Sequence, residues 1–402
     1  MRLRTIAQAC VGGLVVAALL HSQALMFASL AASALAALVV ASRRRVFAAF
    51  SYERAPAQRV ASWGSELEII VSVTNDKLLP LVWLRVRDRW PSSLEPLGFT
   101  LWPPTPHGSR AFVQTVSLRW YERLQRRYRV RCTARGLYRF GPVELEAGDP
   151  FGIAGVSRRL EARKELVVLP KVLDVPDLDL VTGHPLVEQP AVRSLARDTT
   201  ALRGTRPYLP GDSMRAINWW ATARSGVLCT NEFDATSLAA VRILLDVGGT
   251  QRSWEVSSAE RNELLCVVAA SLAAAFDARG FGVGLASNAR VDRDWCAVDT
   301  EPNQGALIDV LETLGRVQLF PAGGFGDVLT AELADQTSRS DCVVITGSLR
   351  SSVRECVARL RAERPTTVVY VGQPAAEERW LIDAVVPGDL DWRTSHALPL
   401  GG

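Results

Sequence analysis

Val241-Arg242-Ile243-Leu244-Leu245-Asp246-Val247-Gly248-Gly249-Thr250 is a run of β-branched and aliphatic residues that stops on an acid and breaks into glycine. Such a run reads as a buried strand, and the Ala259 to Arg279 segment after it reads as a long amphipathic helix with Leu264, Leu265, Val268, Leu272 and Phe276 on one side. The alternation continues. Strands are expected at Gly282 to Ala286, Cys342 to Thr346 and Thr367 to Val371, with helices at Gln304 to Leu314, Asp327 to Asp335 and Val353 to Glu363. Strands that alternate with helices build a mainly parallel sheet with helices on both faces, so residues 237–390 are expected to form an α/β domain. Sites in such sheets lie at the carboxyl ends of the strands, here near Asp246 and Thr346.

Upstream, residues 51–172 read differently. Short β-rich runs at Leu67 to Val73, Val82 to Val86, Ala111 to Leu118, Tyr128 to Thr133, Val143 to Ala147 and Leu166 to Leu169 are separated by turn residues and predict an all-β sandwich. In Arg127-Tyr128-Arg129-Val130-Arg131-Cys132 the period of two sends the arginines to one face and Tyr128, Val130 and Cys132 to the other. The arginine face reads first as solvated surface and second as a contact for anionic lipid headgroups.

The first 45 residues are apolar in two runs, Ile6 to Leu20 and Ala24 to Ala41, broken by His21-Ser22-Gln23. One helix across both would be roughly 54 Å long at about 1.5 Å per residue, too long for a hydrocarbon core of roughly 30 Å. Two spans in a transmembrane helical hairpin are expected instead. Arg2 and Arg4 before them, Arg43-Arg44-Arg45 after them and no arginine at the tip place both ends in the cytoplasm. The expected location is thus the cell membrane, two-pass, with cytoplasmic soluble domains. The competing reading is a secretory signal with Ala32-Ser33-Ala34 as its cleavage site, but the apolar residues run on past it to a basic stop.

The 402 residues carry a formal net charge of +4, too small to argue for a nucleic-acid partner, and only three of the basic residues are lysine (Lys77, Lys164, Lys171). Seven cysteines without a C-x-x-C pair and four separated histidines give neither a disulfide framework nor a zinc site. No P-loop and no G-x-S-x-G is present, and no small-molecule substrate is identified. A non-enzyme is expected.

Residues 185–236 link the two domains and hold Arg203-Gly204-Thr205-Arg206-Pro207-Tyr208-Leu209-Pro210-Gly211-Asp212-Ser213-Met214-Arg215-Ala216-Ile217-Asn218-Trp219-Trp220-Ala221-Thr222-Ala223-Arg224. Pro210-Gly211 makes a turn, Asp212 or Ser213 can cap a helix, and Arg215 to Arg224 has helical composition. This stretch resembles the signature of the domain of unknown function 58 family: R-x-Y-x-P-G-D, then R-x-I-x-W, then A-x-A-R. Arg135-Gly136-Leu137-Tyr138-Arg139-Phe140-Gly141-Pro142 and Gly148-Asp149-Pro150-Phe151-Gly152 look like two further signatures of the same bacterial family. Where Trp220 stands, the family often has a basic residue. Arg206, Tyr208, Pro210, Gly211, Asp212, Arg215, Asn218, Trp219 and Arg224 are the candidate interaction residues. They read either as a brace between the domains or as an exposed docking surface.

The resemblance implies two membrane helices, a C-terminal von Willebrand factor A-like domain and action beside a MoxR-type AAA+ ATPase in protein assembly or maturation. Domains of that type often hold Mg²⁺ through D-x-S-x-S, but Gly248 offers no side-chain oxygen where a serine is expected, and Gly347-Ser348 follows Thr346 where an Asp is expected. No cofactor is expected. Asp246 and Thr250 are the degenerate metal candidates, and Asp246 with Asp212 are the acids an enzyme reading would use. The expected function is a membrane-tethered, cytoplasm-facing scaffold or adaptor for the ATPase. The alternatives are a structural envelope protein without that partner, or a hydrolase-type enzyme.

Overall fold

The computed structural model describes residues 12–13, 23–102, 109–148, 155–178, 202–207, 217–233, 240–248, 259–291, 298–335 and 340–401. The chain divides into two compact units, Met1–Val168 and Leu169–Gly402.

In unit 1 the helix α1 (Gln23–Arg45) is followed by strands β1 (Phe50–Pro56), β2 (Val60–Ala61), β3 (Glu66–Asn75), β4 (Leu81–Pro91), β5 (Leu94–Leu97), β6 (Ser109–Leu118), β7 (Glu122–Cys132), β8 (Gly136–Phe140), β9 (Val143–Gly148), β10 (Gly155–Leu160) and β11 (Lys164–Val168). Two four-stranded antiparallel sheets, β1-β3-β7-β5 and β10-β9-β4-β6, contribute to one core, and a small sheet β2-β11-β8 adjoins them. Alternation sets which side chains enter that core. On β4, Leu84, Val86, Asp88 and Trp90 all point inward and are fully buried. An inward aspartate must be answered by donors. Asp88 accepts from the Tyr52 hydroxyl and the Trp90 indole, each at 2.8 Å, and pairs with the Arg54 guanidinium, which has no exposed side-chain surface. On β7 the arginines face out, and Arg127 and Arg131 pair with Glu68 and Glu66 of β3.

Unit 2 contains the hairpin β12 (Leu202–Pro207) and β13 (Cys229–Phe233), with α2 (Trp219–Ser225) between them. There follow β14 (Ala240–Leu245), α3 (Ala259–Ala278), β15 (Gly282–Ser287), β16 (Ala289–Val291), β17 (Val298–Asn303), α4 (Leu307–Arg316), β18 (Val317–Pro321), α5 (Phe325–Ala334), β19 (Asp341–Thr346), α6 (Ser351–Glu363), β20 (Thr366–Val371) and β21 (Ala384–Val386). The main sheet runs β17-β15-β14-β19-β20-β21; β17 is antiparallel to β15 and the other pairings are parallel. The central strand β14 lies between two parallel neighbours and is therefore apolar on both faces, with Val241, Ile243, Leu244 and Leu245 at 2% exposure or less. The expected one-sided amphipathic helix at 259–279 is instead a central one: from Leu264 to Ala273 every residue is buried.

The expected fold class is corrected. The expectation is an α/β domain with an all-β sandwich and an N-terminal two-helix hairpin. Strand makes up 42% of the described residues against 27% for helix, several of the sheets are antiparallel, and no two-helix hairpin is seen among the described residues. The physical reason is that unit 2 adds antiparallel pairs of its own, β12-β13, β15-β17 and β16-β18, to the antiparallel strands of unit 1. The second apolar run forms the single helix α1, whose last three residues are arginines; most of the first run lies outside the described residues. No helix among the described residues is long and apolar enough to cross a membrane, so the two-pass membrane location is corrected as well.

Candidate functional site

Asp246 follows the last residue of β14, at the carboxyl end of the parallel strands, and is 3% exposed. Its backbone N–H continues the sheet by donating to Ile345 O at 2.9 Å. The side chain is held on both oxygens: the Thr346 hydroxyl donates to Oδ2 at 2.8 Å and the Asn288 amide donates to Oδ1 at 3.1 Å. Asn288 is itself fixed, since its Oδ1 accepts from Val247 N at 2.7 Å. Burial pushes the Asp246 carboxyl up from 3.8 to about 6, against the lowering pull of the Thr346 and Asn288 hydrogen bonds and of Arg350.

Glycine closes this corner. Gly248 has a φ of +82°, and a Cβ placed there would lie 2.7 Å from Pro321 Cδ. Only glycine fits so tight a turn with a left-handed φ. Ser348 N donates to the Thr346 hydroxyl at 3.0 Å, whereas the buried Ser348 Oγ has no hydrogen-bond partner.

Among the described residues the donor set does not fit magnesium. An octahedral ion asks for about six oxygens, whereas the described residues of this corner offer one carboxylate whose two oxygens already accept hydrogen bonds and the hydroxyls of Thr346 and Ser348, and Asn288 turns its nitrogen toward the carboxylate. Among the described residues no group of three or more His, Cys, Asp or Glu side chains is placed to hold a metal ion. Thr250, the second metal candidate, lies outside the described residues.

A cavity of about 270 Å³ opens on the other side of Asn288, lined among others by Arg242, Asp299, Glu301, Asp327 and Glu332. Arg242 is buried there and pairs with Glu332 at 2.7 Å and with Asp299. Glu332 also binds Arg364 at 2.8 Å, so the charges on the cavity wall belong largely to one internal network. Burial raises the Glu332 carboxyl above its ordinary range while Arg242 and Arg364 pull it back.

The signature segment is built differently. Arg206 lies in β12 opposite Thr230 of β13. Tyr208, Pro210, Gly211, Asp212 and Arg215 lie outside the described residues. The helix begins later than its composition suggests, at Trp219, because Asn218 is its cap: Asn218 Oδ1 accepts from Ala221 N at 2.9 Å. It ends at Gly226, in the left-handed conformation, whose N–H returns to Thr222 O. Buried Ile217 bridges to Thr230 and anchors the entry. The helix then shows its aromatic residues to solvent, with Trp219 and Trp220 at 67% and 71% exposure. The Arg224 guanidinium stacks over Trp220 at 5.3 Å from the ring centre. Arg224 is exposed.

The other signature is internal to unit 1. The Tyr138 hydroxyl donates to Ala134 O at 2.8 Å and stands 3.0 Å from Arg135 O, and Arg135 is buried. That stretch is a structural corner.

Sequence reasoning missed Asn288, the residue that locks Asp246. The available signal was the polar pair Ser287-Asn288 at the end of an otherwise apolar strand neighbouring β14.

Residues 204–379 match the family model described as "Protein of unknown function DUF58". It is 24% identical over 315 residues to the "Uncharacterized protein YeaD" of Bacillus subtilis (strain 168), covering 76% of this chain and 72% of that protein. Among solved structures, the CARDB domain of the PF1109 protein from Pyrococcus furiosus matches 30% of this chain and 87% of its own, at 16% identity and a TM-score of 0.20. A cohesin module of a Clostridium perfringens family 33 glycoside hydrolase matches 29% of this chain and 96% of its own, at 14% identity and a TM-score of 0.20. Scores this low carry no argument about this chain.

Proposed function

We propose that this chain is a non-catalytic scaffold or adaptor whose α2 helix is its docking element, with a MoxR-type AAA+ ATPase as partner in protein assembly or maturation. The observation that carries this reading is the pair of exposed tryptophans, Trp219 and Trp220, on a helix capped at both ends and anchored by buried Ile217. A large apolar surface held rigidly in water is characteristic of a recognition site, and tryptophan with arginine is the usual composition of its centre. The partner's identity comes from the family resemblance. Asp246 supports a role without catalysis, because both its oxygens are occupied by structural donors. In this reading the main sheet of unit 2 is the von Willebrand factor A-like platform that the scaffold presents.

The test uses the full chain and a purified MoxR-type ATPase. Trp219→Ala with Trp220→Ala should leave the thermal midpoint nearly unchanged, within about 0.5 kcal/mol, as exposed substitutions do. Capture of the ATPase should be lost. A double variant that melts like the parent and still captures the ATPase would refute the docking role, and no capture by the parent would refute the partnership.

A further inference from the structure

A second exposed aromatic group sits at one end of unit 1. The strand register brings three chain segments together there. Phe50 pairs with Asn75, Asn75 with Glu122, and Leu81 with Leu118. The exit of α1, the β3–β4 turn at 76–80 and the β6–β7 turn at 119–121 therefore share that end.

Hydrogen bonds fasten them to one another. Lys77 Nζ donates to Val46 O at 2.7 Å and to Ala48 O at 3.0 Å, and Asp76 N donates to Ala49 O at 2.8 Å. Asn75 Nδ2 reaches Leu79 O at 3.0 Å and Arg119 O at 2.7 Å, joining the two turns. Tyr121 N donates to Lys77 O at 3.3 Å, and Tyr121 is held at a φ of +51°, a conformation a bulky residue rarely adopts.

This bracing displays large apolar side chains. Leu78 is 73% exposed, Trp120 63% and Tyr121 62%. The apolar residues Met26, Phe27 and Leu30 of α1, the helix that enters at this end, are also exposed. Around the tip the charge is basic: Arg45, Arg119 and Arg123 are exposed, and none of them forms an ion pair among the described residues. Asp76 is exposed at the same end and Glu122 accepts from Arg119 N, so with Lys77 the cations outnumber the acids there. The tip thus combines protruding tryptophan, tyrosine and leucine with exposed arginines.

We infer that the Leu78, Trp120 and Tyr121 tip of unit 1 is a contact surface for an anionic lipid interface. Indole and phenol rings favour the headgroup boundary, where one end of the ring is apolar and the other wet. Arginines beside them draw on the negative surface potential of acidic lipids. The tip rests on the lipid surface and crosses nothing, and the inference stands independently of the α2 docking role.

The test is partition of the full chain onto vesicles of phosphatidylcholine, with and without phosphatidylglycerol. Leu78→Ser, Trp120→Ser and Tyr121→Asn are combined, because asparagine tolerates the positive φ at that position. Comparing variants that all retain α1 removes any contribution of that helix. The triple variant is expected to bind phosphatidylglycerol vesicles about tenfold more weakly or worse, the order of effect that lost apolar contact area produces. Vesicles should also slow amide exchange at 76–82 and 119–122 in the parent chain. Should the triple variant melt early, Arg119→Glu replaces it, with loss of the preference for phosphatidylglycerol expected. Unchanged partition without slowed exchange would overturn the inference. So would protection that grows with protein concentration in the absence of vesicles, since the occupant would then be a second copy of the chain.

Discussion

Asp246 shows how a single side chain can be read two ways. An acid at the end of a buried parallel strand is a usual place for a metal or a catalytic group. Here Thr346 and Asn288 turn it into a structural joint between β14, β15 and β19. Its protonation still has consequences. The folded chain holds the Asp246 proton more tightly than the unfolded chain, with a value of about 6 against 3.8. Its contribution to stability is therefore fully present below pH 3.8 and is lost as the pH rises through about 6. A gap of about two decades in proton affinity is roughly 3 kcal/mol. Asp246→Asn should flatten the decline in unit 2 stability between those pH values, measured by denaturant melts of parent and variant side by side. An equally steep decline in the variant would assign the effect to another group, such as Glu332.

At the scale of elements, caps and strand neighbours decide more than composition does. Residues 215–224 have helical composition throughout, yet α2 begins only after Asn218, where the side chain satisfies a helix N–H. Asn218→Ala should cost about 1 kcal/mol of local stability. Amide exchange of Ala221 and Thr222 should speed up accordingly, while a helix that exchanges as slowly as the parent would show the cap to be unimportant. The strand readings for β3, β4, β6 and β9 were legible from alternation, because each has one face on the unit 1 core. The short strands β2, β5 and β8 were not, since two to five residues carry too little period to stand out. In α3 the sequence did show the helix, but its amphipathic reading failed because the alanines on its far side are buried too.

On the scale of the whole molecule, each unit contains its own buried apolar core. In unit 1 that core encloses the Arg54–Asp88 ion pair, whose side chains have no exposed surface. Removing one partner of such a pair leaves a buried charge unanswered, so Arg54→Met should destabilise unit 1 by roughly 3 to 5 kcal/mol. Mutations without shared partners act independently, and exchange protection in β14 and β19 of unit 2 should stay as in the parent. Loss of protection in both units would mean that they unfold as one.

Local residue order determined the longer strands of unit 1, among them β3, β4, β6 and β9, and the alternation of strands with helices after residue 237, because a period is carried by neighbours along the chain. Tertiary structure alone decided the rest. The Asp246 joint needs Asn288 and Thr346, which lie 42 and 100 residues away in sequence. The display of Trp219, Trp220 and the Leu78, Trp120 and Tyr121 tip depends on which faces other segments cover. Burial and hydrogen-bond partners are properties of a packed chain, so a one-dimensional pattern cannot carry them.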